Sequence, residues 1–338
     1  MNRLRMVSLQ RGENSTKRRP NVARNSAVSA GQDTGRGEKP APKVSFGSWA
    51  FAFGPYSSDP WSFQRVCQYV AEAGYDGIEI NGFRPHPHQD DFNSDVKCQK
   101  LRQQIESFGL GISGFAPDMT PAPPTVSSEA SYLRLIDAAR AFCERLGITT
   151  LRVDSVSGPA TLGEAEYEAQ FTRLRNNFTA AAERLARSGV QLVWEFEPGF
   201  WLNGPSEVLR LLKEVESDNF GVLFDTSHAL TSARGQRQTE PVELLEGGEV
   251  EYARLLKPYV RHLHLIDSVG ELHDDETSEH LPFGTGSVDF DAVIETLGTA
   301  ATDLEWWTVD YCFWPNTERD GAAGAPFVHD LIARHRHA

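Results

Sequence analysis

The sequence predicts an α/β fold built as a closed parallel barrel, the (β/α)8 architecture, on three observations. From Val44 onward, short β-prone runs alternate with longer amphipathic segments, which is typical of parallel α/β proteins. The runs number eight, as such a barrel requires. The connections that follow the runs are long and polar, whereas those that precede them are short. This asymmetry indicates a barrel whose chemistry lies at the C-terminal ends of its strands.

Each predicted strand is a short run rich in branched or aromatic apolar residues. In chain order they are Val44–Phe51, Asp76–Ile80, Leu110–Phe115, Thr149–Val153, Val190–Phe196, Phe220–Phe224, Val260–Ile266 and Trp306–Tyr311. A doubly wound open sheet is the alternative. It predicts a glycine-rich phosphate turn after the first strand, and the segment from Gly47 to Gly54 is too aromatic for that role.

Helices are predicted between the strands from apolar residues that recur three to four positions apart. The clearest segments are Trp61–Ala73, Leu133–Leu146, Tyr167–Ser188 and Pro205–Val215, and glycine ends several of the helices, at Gly74, Gly109, Gly147 and Gly189. The predicted long loops are Asn81–Ser94, Ala116–Ser127, Glu197–Gly204, Thr226–Glu240 and Asp267–Ser287.

Charge divides the chain of 338 residues into two regions. Residues 1–43 carry a net charge of +7 and few apolar residues, so we expect a disordered basic tail, with an organellar transit peptide or an over-extended start as alternatives. Residues 44–338 carry −21 and form the predicted catalytic domain. So acidic a body disfavours nucleic acid as a partner and favours small molecules.

The remaining composition points to a cytoplasmic protein without a membrane span. No apolar stretch approaches the roughly 20 residues that cross a bilayer. The four cysteines show no CxxC spacing, which fits reduced thiols better than a disulfide framework or a zinc knuckle. A homo-oligomer or a second subunit stays open.

Four metal-binding side chains each end an apolar run in the second half of the chain. They are Glu195, Asp225, His264 and Asp310. If the runs are neighbouring strands of one barrel, these side chains converge at one point. Carboxylates with a single imidazole suit one divalent ion, with manganese favoured and magnesium, cobalt, zinc or iron as alternatives. The sequence therefore predicts a catalytic metal site, although an acid at a strand end is often a helix cap or a solvated residue.

Further polar residues flank these four. His228 follows Asp225 by three residues and is expected to contact the substrate. His262 should lie one layer below His264 as a hydrogen-bonded core histidine. Glu197 is expected beside the metal ligands or at the rim. Asp267 is expected to orient the imidazole or to cap the long loop that it begins.

The chain resembles the xylose-isomerase-like TIM-barrel superfamily, specifically its sugar phosphate isomerase/epimerase branch, over roughly residues 44–338. The motifs that carry the resemblance are Gly74–Glu79, Leu192–Pro198, Asp225–His228, His262–Asp267 and His280–Phe290. The family often has a glutamate on the eighth strand as the fourth ligand and as a base. This sequence has the shorter Asp310 there, which puts a strict two-glutamate epimerase mechanism in doubt.

The resemblance implies a metal-dependent isomerase or epimerase that acts on a sugar or polyol through an enediolate. Glu195, His228 and Asp310 are the expected catalytic residues, with Glu195 moving the proton and His228 orienting a substrate oxygen. The expected substrate contacts are Glu79, Trp49 and Glu197. Arg84, His86 and His88, in the loop after the second strand, are also expected to contact the substrate. A stiff surface loop is the plainer interpretation of these last three residues.

Three other functions are weighed against this one. A metal-dependent lyase is the close rival, either a dehydratase or an enzyme that cleaves a C–C or C–O glycosidic bond of a 3-keto sugar. An endonuclease for abasic DNA would need a basic groove, and the acidic body argues against it. A non-catalytic sugar-binding protein would keep its function when the metal is removed.

Overall fold

The computed structural model describes residues 39–158, 162–238, 241–274 and 276–336. Its eight strands close into one parallel barrel in chain order, so the predicted fold is confirmed and the open sheet is excluded. The strands are β1 Lys43–Gly47, β2 Gly77–Gly82, β3 Gly111–Pro117, β4 Thr150–Val153, β5 Gln191–Glu195, β6 Phe220–Asp225, β7 Val260–Leu265 and β8 Trp306–Val309. The predicted tail lies outside the described residues as far as residue 38.

Helices cover the outside of the barrel. They are α1 Phe63–Glu72, α2 Asp95–Ser107, α3 Glu129–Leu146, α4 Glu164–Ala186, α5 Pro205–Glu214, α6 Thr226–Ala233, α7 Gly248–Leu256, α8 Phe290–Leu297, α9 Thr299–Thr302, α10 Thr317–Asp320 and α11 Gly324–His335. The four predicted helices correspond to α1, α3, α4 and α5. In the part of the chain that is described, no helix is both long and apolar enough to span a membrane.

The stripe predicted on α3 is buried against the sheet. Leu133, Ile136, Ala139, Phe142 and Leu146 are at most 8% exposed and belong to the main hydrophobic core. Gly147 ends this helix at a φ of +68°, a left-handed conformation that favours glycine. Gly74, Gly109 and Gly189 also have positive φ values, so the predicted helix stops are confirmed.

Two element predictions are wrong in part. The first strand was expected to run to Phe51, but β1 ends at Gly47 and a 3-10 turn spans Ser48–Phe51. The Trp49 ring folds back over Gly47, where an added Cβ would lie 2.2 Å from it. The segment Thr226–Glu240 was expected to be a loop, but α6 begins directly after β6 because the Asp225 carboxylate accepts the backbone N–H of His228 at 2.8 Å and caps the helix.

Candidate active site

The four predicted ligands meet at the C-terminal end of the barrel. Glu195 and Asp225 end β5 and β6, His264 lies on β7, and Asp310 directly follows β8. One ligand atom from each lies within 4.8 Å of every other, and all four residues are buried. Parallel pairing places Asp225 opposite His264 in the register, which is why residues far apart in sequence share one point.

Unpartnered atoms in this cluster fit a divalent cation. Glu195 Oε1, Asp225 Oδ2 and His264 Nδ1 form no hydrogen bond within the described structure. His264 Nδ1 lies 3.1 Å from Glu195 Oε1 and 3.6 Å from Asp310 Oδ2. Buried carboxylate oxygens and ring nitrogens without hydrogen bonds are costly, and a cation among them would remove that cost. The donor set of three carboxylates and an imidazole suits a hard or borderline metal.

The protonation of the cluster reflects its crowded charges. Burial opposes ionisation of Asp310, but His280 and His264 outweigh it and hold the pKa of Asp310 well below its usual range. Burial likewise opposes charge on His264, yet Glu79, Asp310 and Glu195 raise its pKa well above the ordinary value. The carboxylates here therefore attract positive charge strongly, and a metal ion would compete with the proton on His264.

Glu79 lies beneath the cluster rather than in the cavity. Its Oε2 pairs with His262 Nε2 at 2.8 Å and with His264 Nε2 at 3.2 Å, and it accepts the Thr308 hydroxyl at 3.0 Å. Glu79 is fully buried. Its position fits orientation of His264 instead of the predicted substrate contact. His262 is the hydrogen-bonded core histidine that the sequence indicated.

Asp310 is held by the loop after β1. Trp49 Nε1 donates to Asp310 Oδ1 at 2.6 Å, and the Cys312 backbone N–H donates to the same oxygen at 2.8 Å. The second oxygen of Asp310 is the one directed toward His264. Trp49 also lines the cavity above, so the residue expected to contact the substrate also holds a proposed metal ligand in place.

His228 joins the cluster to the cavity wall. Its Nδ1 lies 2.7 Å from the Ser278 hydroxyl, while its Nε2 lies 3.2 Å from Glu197 Oε2 and 3.9 Å from Glu195 Oε1. Burial lowers the pKa of His228. Burial, reinforced by Glu195, raises the pKa of Glu197 to about 8. Near neutral pH the Glu197–His228 pair can therefore both hold and release a proton.

A cavity opens directly above the cluster. It is lined by Trp49, Phe53, Asn81, Phe83, Ala116, Pro117, Arg152, Asp154, Glu197, Phe200, His228, Thr277, His280, Asp310, Cys312 and Phe313. Of the predicted site residues, Trp49, Glu197, His228 and Asp310 face this space. A small molecule bound here would lie against the candidate metal ligands.

Three charged or titratable residues of this wall were missed from the sequence. Arg152 forms an ion pair with Glu195, and Asp154 follows it two residues later at the end of β4. His280 Nδ1 lies 3.5 Å from Asp310 Oδ1, and neither of its ring nitrogens has a hydrogen-bond partner among the described residues. Burial opposes its charge, but Asp310 raises the pKa of His280 to about 9. The strand-end rule that found the four ligands would also have selected Asp154, and His280 begins a motif that carried the family resemblance.

The loop after β2 does not bring its predicted residues into the cavity. Arg84 is exposed and pairs with Asp91 at 2.6 Å. His86 is buried with its Nε2 3.1 Å from the Trp61 carbonyl, and His88 Nδ1 accepts the Asp90 N–H at 3.2 Å. Arg84 therefore fits the surface loop that was the plainer interpretation, whereas His86 and His88 are buried within the protein instead. From this loop only Phe83 appears among the cavity residues.

Asp267, which begins the long loop after β7, has one of the two roles predicted for it. Asp267 accepts four backbone N–H groups, those of Ser268, Gly284, Gly286 and Val288, at 2.8–3.2 Å. It therefore caps its own loop. Antiparallel bridges join Asp267 to Leu281 and Leu272 to Ser278, so the segment 267–281 forms a hairpin that carries Thr277, Ser278 and His280 into the site.

Comparison with known proteins agrees with this architecture. A family model described as xylose isomerase-like TIM barrel matches residues 67–325. The inosose dehydratase of Lacticaseibacillus casei is 22% identical over 290 residues, covering 81% of this chain and 88% of the relative. The fructoselysine 3-epimerase of Shigella flexneri is 26% identical over 218 residues, covering 60% of this chain and 70% of the relative.

A solved structure shares the same fold. The IOLI protein, whose structure has a bound zinc atom, superposes with a TM-score of 0.62 at 15% identity, covering 87% of this chain and 99% of that chain. The structure is a parallel barrel with a buried cluster of three carboxylates and one imidazole at its C-terminal end, a set of side chains that could hold a divalent metal ion. The chain belongs to the xylose isomerase-like TIM-barrel family, and its relatives include inosose dehydratases and a fructoselysine 3-epimerase.

Proposed function

We propose that this protein is a divalent-metal-dependent lyase that acts on a keto sugar or keto cyclitol. Such an enzyme removes a proton from the carbon beside the carbonyl and expels an oxygen substituent from the next carbon. The relatives named inosose dehydratase support this reaction, because they match four fifths of the chain. Glu195, Asp225, His264 and Asp310 are the proposed ligands.

The observation that carries the proposal is that three groups able to move protons, Glu197, His228 and His280, all come from the segments that follow β5, β6 and β7. His228 contacts Glu197 at 3.2 Å, and the His228 and His280 rings are 5.3 Å apart. Asp310, on the β8 side, has one oxygen occupied by Trp49 and Cys312. Epimerisation returns the proton to the opposite face of the carbon and needs acid–base groups on two sides. Elimination can be served from one side.

A divalent cation bound at the four ligands would polarise a substrate carbonyl and acidify the neighbouring C–H bond. The residues of the chain would supply the proton transfers. Glu195 or the Glu197–His228 pair accepts the proton from carbon, and the C–H electron pair forms the new C=C bond. The C–O bond of the leaving group breaks with its electron pair, and His280 or His228 protonates the departing oxygen, which leaves as water or an alcohol.

Isomerisation or epimerisation, the reaction first expected from the sequence, is the second candidate. It begins with the same proton removal, and the relationship to fructoselysine 3-epimerase favours it. The two reactions part after that step, since the isomerase returns the proton to carbon and the lyase loses a substituent. A sugar-like small molecule is the proposed substrate in both cases.

Incubation of the Mn(II)-loaded protein in D2O separates the candidates. With inosose or a 3-keto glycoside, we expect loss of water or release of the aglycone, followed by NMR. Deuterium incorporation into a ketose without any release would instead establish the isomerase. Glu195→Gln should lower both metal content, measured by mass spectrometry, and turnover, with the exposed Glu106→Gln as the matched control. Unchanged metal content and turnover in Glu195→Gln would contradict the proposal.

A further inference from the structure

The cavity has two chemically different walls. The side formed by β4 to β7 and their loops carries Arg152, Asp154, Glu197, His228 and His280. The opposite side, over β8 and β1 to β3, has Asn81 and Asp310 as its polar residues but also an apolar patch of three phenylalanines, an alanine and a proline: Phe53, Phe83, Ala116, Pro117 and Phe313. A substrate that fills this space therefore meets polar groups at one end and hydrocarbon at the other.

Phe53 contacts the other two phenylalanines of the apolar wall. Phe53 and Phe83 meet edge to face with ring centres 5.2 Å apart, and Phe53 stacks with Phe313 at 6.4 Å and 23°. All three are only partly buried, although they lie inside a cleft. Phe200, also partly buried, lies on the rim after β5. Apolar rings left open to water in a cleft gain free energy when a ligand covers them.

The described lining of the cavity offers no unpaired arginine or lysine to an anionic ligand. Among the described residues that line the cavity, Arg152 is the one permanent cation, and it is already paired with Glu195. Asp154, Glu197 and Asp310 place three carboxyl groups around the same space. A phosphate monoester would approach these carboxyl groups without an unpaired arginine or lysine to receive it.

We propose that the natural substrate is an uncharged polyol ketone that carries an aromatic substituent. This inference rests on the proposed function, since it places the polyol over the ligand cluster and the aromatic group against Phe53, Phe83 and Phe313. Aromatic rings pair with the edges and faces of other rings in the geometries that this wall already shows. The substituent, rather than a phosphate, then supplies affinity and selectivity.

Binding of unreactive probes to the Mn(II)-loaded protein tests the inference. Phenyl β-D-glucoside and methyl β-D-glucoside lack the carbonyl and cannot react, so calorimetry can measure their dissociation constants without turnover. We expect the phenyl compound to bind about tenfold or more tightly than the methyl compound, and glucose 6-phosphate to bind more weakly than either.

Substitutions test whether the apolar wall causes the preference for the phenyl compound. Phe83→Ala should reduce the ratio of phenyl to methyl affinity at least about threefold, while Phe108→Ala, a partly buried phenylalanine after α2 and outside the cavity, should retain the ratio. Equal affinities for the two glucosides, no measurable binding of the phenyl compound, or tighter binding of glucose 6-phosphate would overturn the inference. These outcomes would leave the proposed function standing if the protein still eliminates water from inosose. If the wild-type protein does not eliminate water from inosose, that result would count against the proposed function instead.

Discussion

His264 has its two ring nitrogens directed to opposite sides. Nε2 lies 3.2 Å from Glu79, and Nδ1 lies 3.1 Å from Glu195 within the ligand cluster. A buried carboxylate behind a ligating histidine fixes the ring and selects which nitrogen faces the metal. Glu79 therefore matters to the proposed centre without touching a metal or a substrate.

Replacement of Glu79 tests this positioning role. Glu79→Gln should weaken Mn(II) binding about 10- to 100-fold, because the amide no longer holds His264 in one orientation. Calorimetric titration of the metal-free protein measures the change, and Glu106→Gln serves as the exposed control. Unaltered metal affinity in a folded Glu79→Gln variant would show that His264 is oriented by other contacts.

Asp154 should make stability depend on pH. Burial raises its pKa to about 6, against the opposing attraction of Arg152. The folded state then binds this proton more tightly than the unfolded chain, so the contribution of Asp154 to stability is greatest below pH 4 and falls as the pH rises to about 6. Asp154→Asn keeps the hydrogen bond to the Val156 N–H and removes the titration.

Urea unfolding of the metal-free protein at several pH values checks this direction. The variant should be more stable than the wild type by about 1–3 kcal/mol at pH 7, and the difference should shrink toward pH 4. A difference that stays constant with pH would mean that Asp154 titrates at its ordinary value.

How far the sequence determines the site differs from residue to residue. The four strand-end ligands could be predicted because parallel pairing alone brings strand ends together. Arg84, His86 and His88 could not be placed, since a loop can direct its side chains to many partners. Glu79 was found as a residue of interest, but its depth in the barrel depends on contacts with His262 and His264 that no local pattern records.

At the scale of secondary-structure elements, the hairpin 267–281 contributes Thr277, Ser278 and His280 to the site. One aspartate, Asp267, accepts four backbone N–H groups that hold its two ends together. Gly286 is required where the loop closes, because a Cβ there would lie 2.3 Å from Asp267 Oδ1. Of the two glycines just after the hairpin, Gly286 therefore reflects close packing around a buried carboxylate, whereas Gly284 has a positive φ of +81°.

Removal of that carboxylate should loosen the hairpin. Asp267→Ala leaves several backbone donors unpaired and should lower the free energy of unfolding by about 2–4 kcal/mol. Thermal and urea unfolding measure the loss, and limited proteolysis should cut the segment first. Asp274→Ala, an exposed acid of the same hairpin, is the matched control and should change stability by less than about 0.5 kcal/mol. Equal effects of the two changes would contradict the capping role.

The strands themselves were predictable, but their ends were less so. Apolar runs located all eight. The first was extended too far because Trp49 and Phe51 continue the aromatic pattern beyond the turn at Gly47. The loop expected after β6 proved to be helical because Asp225 is at once a strand residue, a helix cap and a proposed ligand. The sequence alone does not reveal that one residue has all three of these roles.

At the scale of the whole molecule, metal binding should stabilise the folded barrel against unfolding. Three buried acids, at the ends of β5 and β6 and directly after β8, meet in the site, and a divalent ion held there would bind the folded arrangement far better than the unfolded chain. At a free concentration of 100 times its dissociation constant, Mn(II) should stabilise the protein by about 2.7 kcal/mol. The gain should fall on acidification, because protons compete for His264 and the carboxylates.

Thermal unfolding with Mn(II) or with a chelator measures this coupling at pH 8 and at pH 5.5. Asp225→Asn should abolish most of the metal-induced shift, whereas Asp274→Asn should keep it. A shift of equal size in Asp225→Asn and wild type would place the ion elsewhere on the protein.

The hairpin 267–281 also joins two tasks that many barrels assign to separate loops. Its outer end is fastened over the mouth by the Arg237–Glu276 ion pair at 2.7 Å and by His273 stacked on Phe313 at 5.4 Å. Its inner strand carries Ser278 and His280 beside His228. If this one segment were exchanged during evolution, the entrance of the cavity and part of the proton-transfer chemistry would change in a single genetic event. Reaction and substrate preference would then evolve together.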